Sequence, residues 1–129
     1  QIGSNRYTAA LANSELAKVQ FEKGNYSEAV KFYEVAISLD DKQYVFFENA
    51  AISYDNLENF SKAEEYFNKV IYDFKIGDGK SEFFKGLMLV KNNNLIDGCE
   101  YLQKSAVKNY VGVVSGLRAE NVYLQLCRS

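Results

Sequence analysis

The sequence predicts an all-α fold, an α-α superhelix of three helical hairpins followed by a C-terminal capping helix. Three observations support this prediction. Similar segments recur about every 34 residues, apolar residues within each segment recur at steps of three and four, and the 129 residues contain no proline. Steps of three and four place apolar side chains on one face of a helix, and a chain without proline lacks the residue that most strongly interrupts helices.

The repeat is visible in two segments, GNYSEAVKFYEVAI at residues 24–37 and ENFSKAEEYFNKVI at residues 58–71. They align without a gap at a spacing of 34 residues. A third, more divergent copy begins at Asn94, 35 residues after Asn59. The additional residue falls in KIGDGK, residues 75–80, where a loop accommodates it at little entropic cost. We therefore expect three copies of one structural unit.

Each copy is predicted to form two helices joined by a tight turn. In the first copy the turn contains Gly24, which suits the position just after a helix, and Asn25, which suits the N-cap of the next one. The first eight residues, QIGSNRYT, look like a short lead-in rather than a further repeat, which favours a chain that begins near its true start. The predicted helices lie near residues 8–23, 26–39, 43–56, 60–74, 81–92, 95–107 and 115–127.

Small residues recur at matching positions of the three hairpins. Two helices can approach closely only where the side chains at their crossing are small, so these positions are predicted to mark the crossing in each hairpin. Helix propensity alone explains alanine, but it explains neither the matched spacing nor the replacement of alanine by glycine. The positions are Ala17, Ala51 and Gly86 in the first helices and Ala29, Ala63 and Gly98 in the second helices.

The pattern resembles the tetratricopeptide repeat (TPR), a 34-residue unit whose signature is W-x2-L-G-x2-Y, then A-x3-F, then P. The A-x3-F element recurs as A-x3-Y, A-x3-F and G-x3-L in the three copies, and the closing proline is missing throughout. The third copy also resembles a Sel1-like repeat. The resemblance implies a single domain, with a final helix that covers the last exposed apolar face. It places the repeats at about residues 10–43, 44–77 and 79–110 and the capping helix at about 115–127.

The resemblance implies a protein–protein interaction module, in which the first helices of the hairpins line a concave groove that holds a peptide or a partner helix. A partner of mixed apolar and polar character suits the aromatic residues of this groove. Phe83 and Phe84 have a second interpretation, as core residues of the divergent third repeat. The groove positions of the family correspond to Ser14, Lys18, Phe21, Glu48, Asn49, Ile52, Asp55, Lys80, Phe83, Phe84, Leu87 and Lys91.

Some TPR modules hold a C-terminal carboxylate with a clamp of Lys, Asn, Asn, Lys and Arg. This chain matches that clamp only at Asn49 and Lys80. Ser14 stands in place of the first Lys, Lys18 in place of the first Asn, and Phe84 in place of the Arg. These replacements disfavour a receptor for chaperone tails.

A second hypothesis is a structural role, as a self-associating fragment of a larger TPR array or of an envelope assembly. The two hypotheses differ in what fills the groove. An interaction module holds a foreign peptide or helix there, whereas in a structural fragment the groove holds a neighbour or the chain's own terminus. The sequence leaves the oligomeric state and the identity of the partner open.

The composition argues against an enzyme. The chain has no histidine, so Ser-His and Cys-His pairs and imidazole metal ligands cannot form, and its two cysteines lack CxxC spacing. We therefore expect no catalytic residues, no metal and no cofactor.

A net charge of −2 and the lack of a basic helix give no basis for nucleic-acid binding. We expect no direct membrane insertion, because no apolar run approaches the roughly 18 residues that a membrane span needs.

Cys99 and Cys127 form a candidate disulfide. Neighbouring antiparallel helices meet at residues equidistant from their connecting turn, and the midpoint of the two cysteines falls in NYVGVVSG, residues 109–116. The alternative is that both are small buried hydrophobic residues, as free cysteines usually are. A disulfide would indicate an oxidising compartment, and without one we expect a cytoplasmic protein. The segment GCEYLQKSA resembles cysteine-containing TPR and Sel1-like proteins of the bacterial envelope, which implies a periplasmic or secreted location.

Overall fold

The computed structural model describes residues 2–112 and 115–128, and these residues form an all-α fold. No β-strand occurs within them, and the one strand-like pairing is an isolated antiparallel bridge between Val111 and Arg118. The all-α prediction is therefore confirmed. The helices in this part of the chain are α1 (Ile2–Glu22), α2 (Tyr26–Leu39), α3 (Tyr44–Asn56), α4 (Phe60–Asn68), α5 (Lys80–Lys91), α6 (Leu95–Val107) and α7 (Ala119–Cys127).

The start of α1 differs from the prediction. The segment expected to be a lead-in is helical from Ile2 onward. The guanidinium group of Arg6 donates hydrogen bonds to the carbonyl oxygens of Ser38 and Leu39, at 3.1 and 3.3 Å. These carbonyls belong to the last turn of α2, where no intrahelical donor remains. The first turns of α1 are therefore part of the first hairpin, because Arg6 caps its second helix.

The predicted helix near residues 60–74 has two parts. It is α-helical to Asn68 and continues as a π-helix over Lys69–Phe74, in which each turn contains one additional residue. It ends where Lys75 adopts a left-handed backbone with φ of 57°. The prediction of one continuous α-helix is wrong for this last segment.

The start of α7 also differs, since the helix begins at Ala119 rather than near residue 115. Ahead of this helix, Gly112 N–H donates to Leu117 O at 2.9 Å. The N–H of Ala119 donates to the carbonyl oxygen of Tyr110, also at 2.9 Å. Gly116 has a φ of +67°, a conformation that a glycine adopts without strain and that cannot continue a helix.

The chain divides into two compact units, the first ending at Lys69 and the second beginning at Val70. In the first unit α1 packs on α2, α2 on α3 and α3 on α4. In the second unit α5 packs on α6 and α6 on α7. Each unit therefore has the hairpin order that the repeat predicts, while the predicted repeat boundaries stay a prediction.

The small residues predicted to mark the helix crossings are buried. The four alanines at these positions are fully buried. In the third hairpin a Cβ atom on Gly86 would lie 2.8 Å from Leu102 Cγ, and one on Gly98 would lie 2.6 Å from Val90 Cγ2. Both distances are shorter than any normal contact. Helices α5 and α6 therefore approach too closely for alanine at this crossing.

Apolar residues form a separate core in each unit. In the first unit Ala10, Ala36 and Phe46 are buried together, so this core joins α1, α2 and α3. In the second unit Phe83 and Leu102 pack against Ala119 and Val122 of α7. Among the described residues, no helix is both long and apolar enough to cross a membrane.

Candidate functional site

The predicted groove residues all lie on the first helices of the hairpins. Helices α1 and α3 hold seven of them in the first unit, and α5 holds five in the second unit. The first-unit set is Ser14, Lys18, Phe21, Glu48, Asn49, Ile52 and Asp55, and the second-unit set is Lys80, Phe83, Phe84, Leu87 and Lys91.

On α1 the three candidate side chains differ in exposure. Lys18 is exposed, whereas Ser14 and Phe21 are half-buried. The Ser14 hydroxyl donates a 2.8 Å hydrogen bond to the carbonyl oxygen of Leu11 one turn earlier. The ring of Phe21 packs edge-on against Tyr26, at 5.5 Å between ring centroids. Lys18 is therefore the most accessible polar group of this helix's candidate set.

On α3 the side chain of Asn49 is hydrogen-bonded to the hydroxyl of Tyr33, a fully buried residue of α2. The pKa of Tyr33 is raised to about 12 by burial and by the negative charges of Glu15 and Glu22, while the hydrogen bond with Asn49 opposes this rise. Asn49 therefore has an internal partner, which a ligand would have to share.

The remaining candidates on α3 divide by burial. Glu48 is only 3% exposed, so its side chain is not accessible to a binding partner in this conformation. Ile52 and Asp55 are half-buried and remain accessible. The candidate surface of the first unit therefore excludes Glu48.

On α5 the ring of Phe83 is 5% exposed and belongs to the core of the second unit. Its centroid lies 5.4 Å from that of Phe84 and 5.2 Å from that of Tyr110. This corresponds to the second of the two interpretations made from the sequence. Phe84 and Leu87 are half-buried at the edge of the same core. Phe83 is therefore excluded from the candidate surface, while Phe84 and Leu87 stay in it.

A cavity of about 260 Å³ opens beside the start of α5. Two candidate residues, Lys80 and Phe84, contribute to its wall. Lys91, at the other end of α5, does not line it and is exposed to solvent. The complete lining is Lys80, Phe83, Phe84, Tyr110, Gly112, Ser115 and Leu117.

Comparison with known proteins identifies the fold. Residues 14–43 and 46–72 match family profiles described as tetratricopeptide repeat. The chain is a tetratricopeptide repeat protein. Its fold is similar to that of the first TPR of Spaghetti (RPAP3), solved with the HSP90 peptide SRMEEVD, with a TM-score of 0.79 and 20% identity over 95% of this chain and 93% of that one. It is also similar to the Arabidopsis OM64 TPR domain, with a TM-score of 0.81 and 18% identity over 95% and 98% of the two chains.

Sequence reasoning missed a polar network that joins three helices of the first TPR unit. The carboxylate of Glu34 on α2 accepts hydrogen bonds from the hydroxyls of Tyr54 on α3, at 2.5 Å, and Tyr66 on α4, at 2.6 Å. Burial, followed by the bond to Glu34 and its negative charge, raises the pKa of both tyrosines above the ordinary value. The sequence feature that could have indicated this network is Tyr54, which occupies the tyrosine position of the family signature in copy two.

A second unpredicted feature is a cleft of about 470 Å³ in the second unit. Tyr72 and Val107 flank it and are 47% and 76% exposed. In its wall the buried carboxylate of Glu82 on α5 forms an ion pair with Lys108, the residue that follows the end of α6. The complete lining is Ile71, Tyr72, Glu82, Gln103, Lys104, Val107 and Lys108.

A disulfide joins Cys99 of α6 to Cys127 at the end of α7, with 5.8 Å between the two Cα atoms. Both residues are half-buried. Within the part of the chain that the structure describes, no group of three or more acidic or cysteine side chains could hold a metal ion.

Proposed function

We propose that this TPR protein is a protein–protein interaction module that binds a peptide or a partner helix along the first helices of its hairpins. The observation that carries the proposal is the TPR fold itself, combined with accessible polar and apolar side chains on α1, α3 and α5. Helical repeats of this kind present extended binding surfaces. With Glu48 and Phe83 excluded by burial, the proposed contact residues are Ser14, Lys18, Phe21, Asn49, Ile52, Asp55, Lys80, Phe84, Leu87 and Lys91.

The chemistry of these residues favours an internal peptide segment with apolar side chains over a free C-terminal carboxylate. A carboxylate clamp needs several donors on one anion, and this chain has only Asn49 and Lys80 at the clamp positions. Asn49 already bonds to Tyr33. Where the clamp has arginine, Phe84 offers an aromatic ring beside a cavity. We therefore expect SRMEEVD, the peptide bound to the Spaghetti (RPAP3) domain, to bind weakly here.

We also propose that the protein is not an enzyme and needs no cofactor. The absence of histidine from the sequence removes the usual general base and metal ligand. A formal charge of −2 supports a protein or peptide partner rather than nucleic acid.

For the compartment, the Cys99–Cys127 disulfide supports an oxidising environment such as the periplasm or the exterior of the cell. Thiol titration of the unfolded, unreduced protein isolated from its native source tests this. Absence of titratable thiols is expected, and two free thiols would contradict it.

A second candidate function is self-association, which two exposed apolar residues of α1 favour. Leu16 is 50% exposed and Val19 is 47% exposed. They lie three residues apart on one helix, and therefore on one face. Light scattering of the wild type and of Leu16→Glu over a range of concentrations tests this. A wild-type dimer that the substitution dissociates would support self-association, and a monomer throughout would exclude it.

The binding proposal is tested by site-specific photo-crosslinking in the native source. A crosslinker replaces either Lys18 on the proposed surface of α1 or Lys31 on α2, and Lys31 is also an exposed lysine. A protein captured from position 18 but not from position 31 is then purified and its affinity measured directly. Capture from position 31 alone would place the partner elsewhere and contradict the proposed surface.

A further inference from the structure

The C-terminal helix α7 is attached to its hairpin by two anchors of different chemistry. At its start the anchor is backbone hydrogen bonding, from Ala119 N–H to Tyr110 O and from Gly112 N–H to Leu117 O. At its end the anchor is the disulfide between Cys127 and Cys99. Only the second anchor responds to a reductant.

Between the anchors, α7 has few apolar contacts of its own. Of its nine residues, Ala119 and Val122 are buried, and Ala119 lies beside the first anchor. Tyr123 is half-buried, whereas Leu124 and Leu126 are 46% and 39% exposed. The C-terminal half of α7 is therefore attached mainly through Cys127.

Beneath α7 lies an apolar surface that the helix keeps from water. Leu102 is fully buried and Phe83 is 5% exposed, and both pack in one cluster with Val122. Phe84, Leu87 and Val90 border this cluster. Movement of α7 away from this cluster would expose several large apolar side chains together, which in soluble proteins is typical of interaction sites.

We propose that the Cys99–Cys127 disulfide is a redox-sensitive latch, whose reduction by a dithiol releases the C-terminal half of α7 and uncovers the apolar surface of the third hairpin. The reaction is thiol–disulfide exchange. The two thiols of the dithiol are oxidised to a disulfide, and the Cys99–Cys127 bond takes up two electrons and two protons to become two thiols. Both cysteines are half-buried, so neither residue is closed off completely from solvent.

The latch predicts a local response rather than unfolding of the second unit. The hydrogen bonds from Ala119 N–H to Tyr110 O and from Gly112 N–H to Leu117 O do not depend on the disulfide, so the start of α7 stays in place. The contact of α5 with α6 at Gly86 and Gly98 is also independent of it. The end of α7 is therefore expected to open while α5 keeps its protection.

The test is amide hydrogen exchange, followed by mass spectrometry, on the full chain with and without dithiothreitol. Reduction should accelerate exchange of residues 122–127 by at least about tenfold, while residues 83–91 of α5 change by less than about twofold. The variant Cys99→Ser/Cys127→Ser is the control for side effects of the reagent, and it should show the fast exchange in both buffers. Unchanged exchange in α7 would overturn the proposal. Equal acceleration in α5 would also overturn it, since the disulfide would then stabilise the whole unit.

Discussion

The carbonyl oxygen of Gly86 lies 3.0 Å from the position that a Cβ atom would occupy on Gly98, so the backbones of α5 and α6 are in direct contact there. The reciprocal distance, from a Cβ on Gly86 to the carbonyl oxygen of Gly98, is also 3.0 Å. Alanine occupies the corresponding sites of the other two hairpins. The third hairpin thus has glycine at a backbone contact where the other two hairpins have alanine, and that difference can be tested.

Gly98→Ala should destabilise the protein. The new Cβ would lie 2.9 Å from the backbone nitrogen of Val90, which cannot move aside as a flexible side chain does. Overpacking of this kind costs about 1–3 kcal/mol, which opposes the gain of about 1 kcal/mol from replacing glycine in a helix. Urea unfolding measures the net effect. Gly77→Ala is the control, because nothing lies within 4 Å of its Cβ position. Equal stability of the two variants would remove the packing argument.

Tyr54→Phe and Tyr66→Phe should each lower the free energy of unfolding of the first unit by about 1–2 kcal/mol. Each change removes one of two hydrogen bonds to the carboxylate of Glu34, and bonds to charged groups contribute about 1.5–3 kcal/mol. Because the tyrosines share one acceptor, the double variant should not show the sum of the two single effects. Tyr7→Phe, at a ring that is 45% exposed, is the matched control. A double-mutant cycle with no coupling would contradict the shared network.

The stability of the protein should fall as the pH rises above about 10. Tyr33 has an ordinary pKa of 10.0 when unfolded and about 12 when folded, because burial opposes its ionisation. Between these values the unfolded chain has lost the proton while the folded chain keeps it, so the free energy of unfolding decreases with pH. Below the ordinary value both states are protonated and the contribution is fully present. Chemical denaturation between pH 8 and about 11.5 should give a shallower slope for Tyr33→Phe than for the wild type. Identical slopes would show that Tyr33 does not titrate differently on folding.

Lys18→Ala and Lys80→Ala should weaken binding of a partner of the first helices without changing the melting temperature. Lys18 is exposed and Lys80 lines an open cavity, so the expected loss is that of a contact, about 1 kcal/mol or roughly fivefold in Kd. Lys31→Ala on α2 should bind like the wild type. Titration calorimetry with the captured partner measures all three, and a larger loss for Lys31→Ala would place the site on the other face. Asn49→Ala is unsuitable as a binding probe, because it also removes the bond to Tyr33.

The candidate site was predicted from the sequence only as a set of helix positions. All twelve residues lie on the first helices, as expected, because the repeat register alone assigns them there. Two of them, Glu48 and Phe83, are buried. Their burial depends on how closely neighbouring helices pack. The spacing of residues along one helix does not determine that packing.

The sequence by itself determined the helical hairpins and the positions where they cross. Apolar steps of three and four and small residues at a 34-residue spacing are local patterns, and they act through the geometry of a single helix. The tertiary structure alone decided that α1 begins at Ile2, that α7 begins at Ala119, and that Glu34 joins three helices. Each of these depends on a partner 9 to 33 residues away, such as Ala119 bonded to Tyr110 and Arg6 bonded to Leu39. A hydrogen bond between residues so far apart forms only when the intervening chain has already folded, so its physical cause lies in the packing and not in the local pattern.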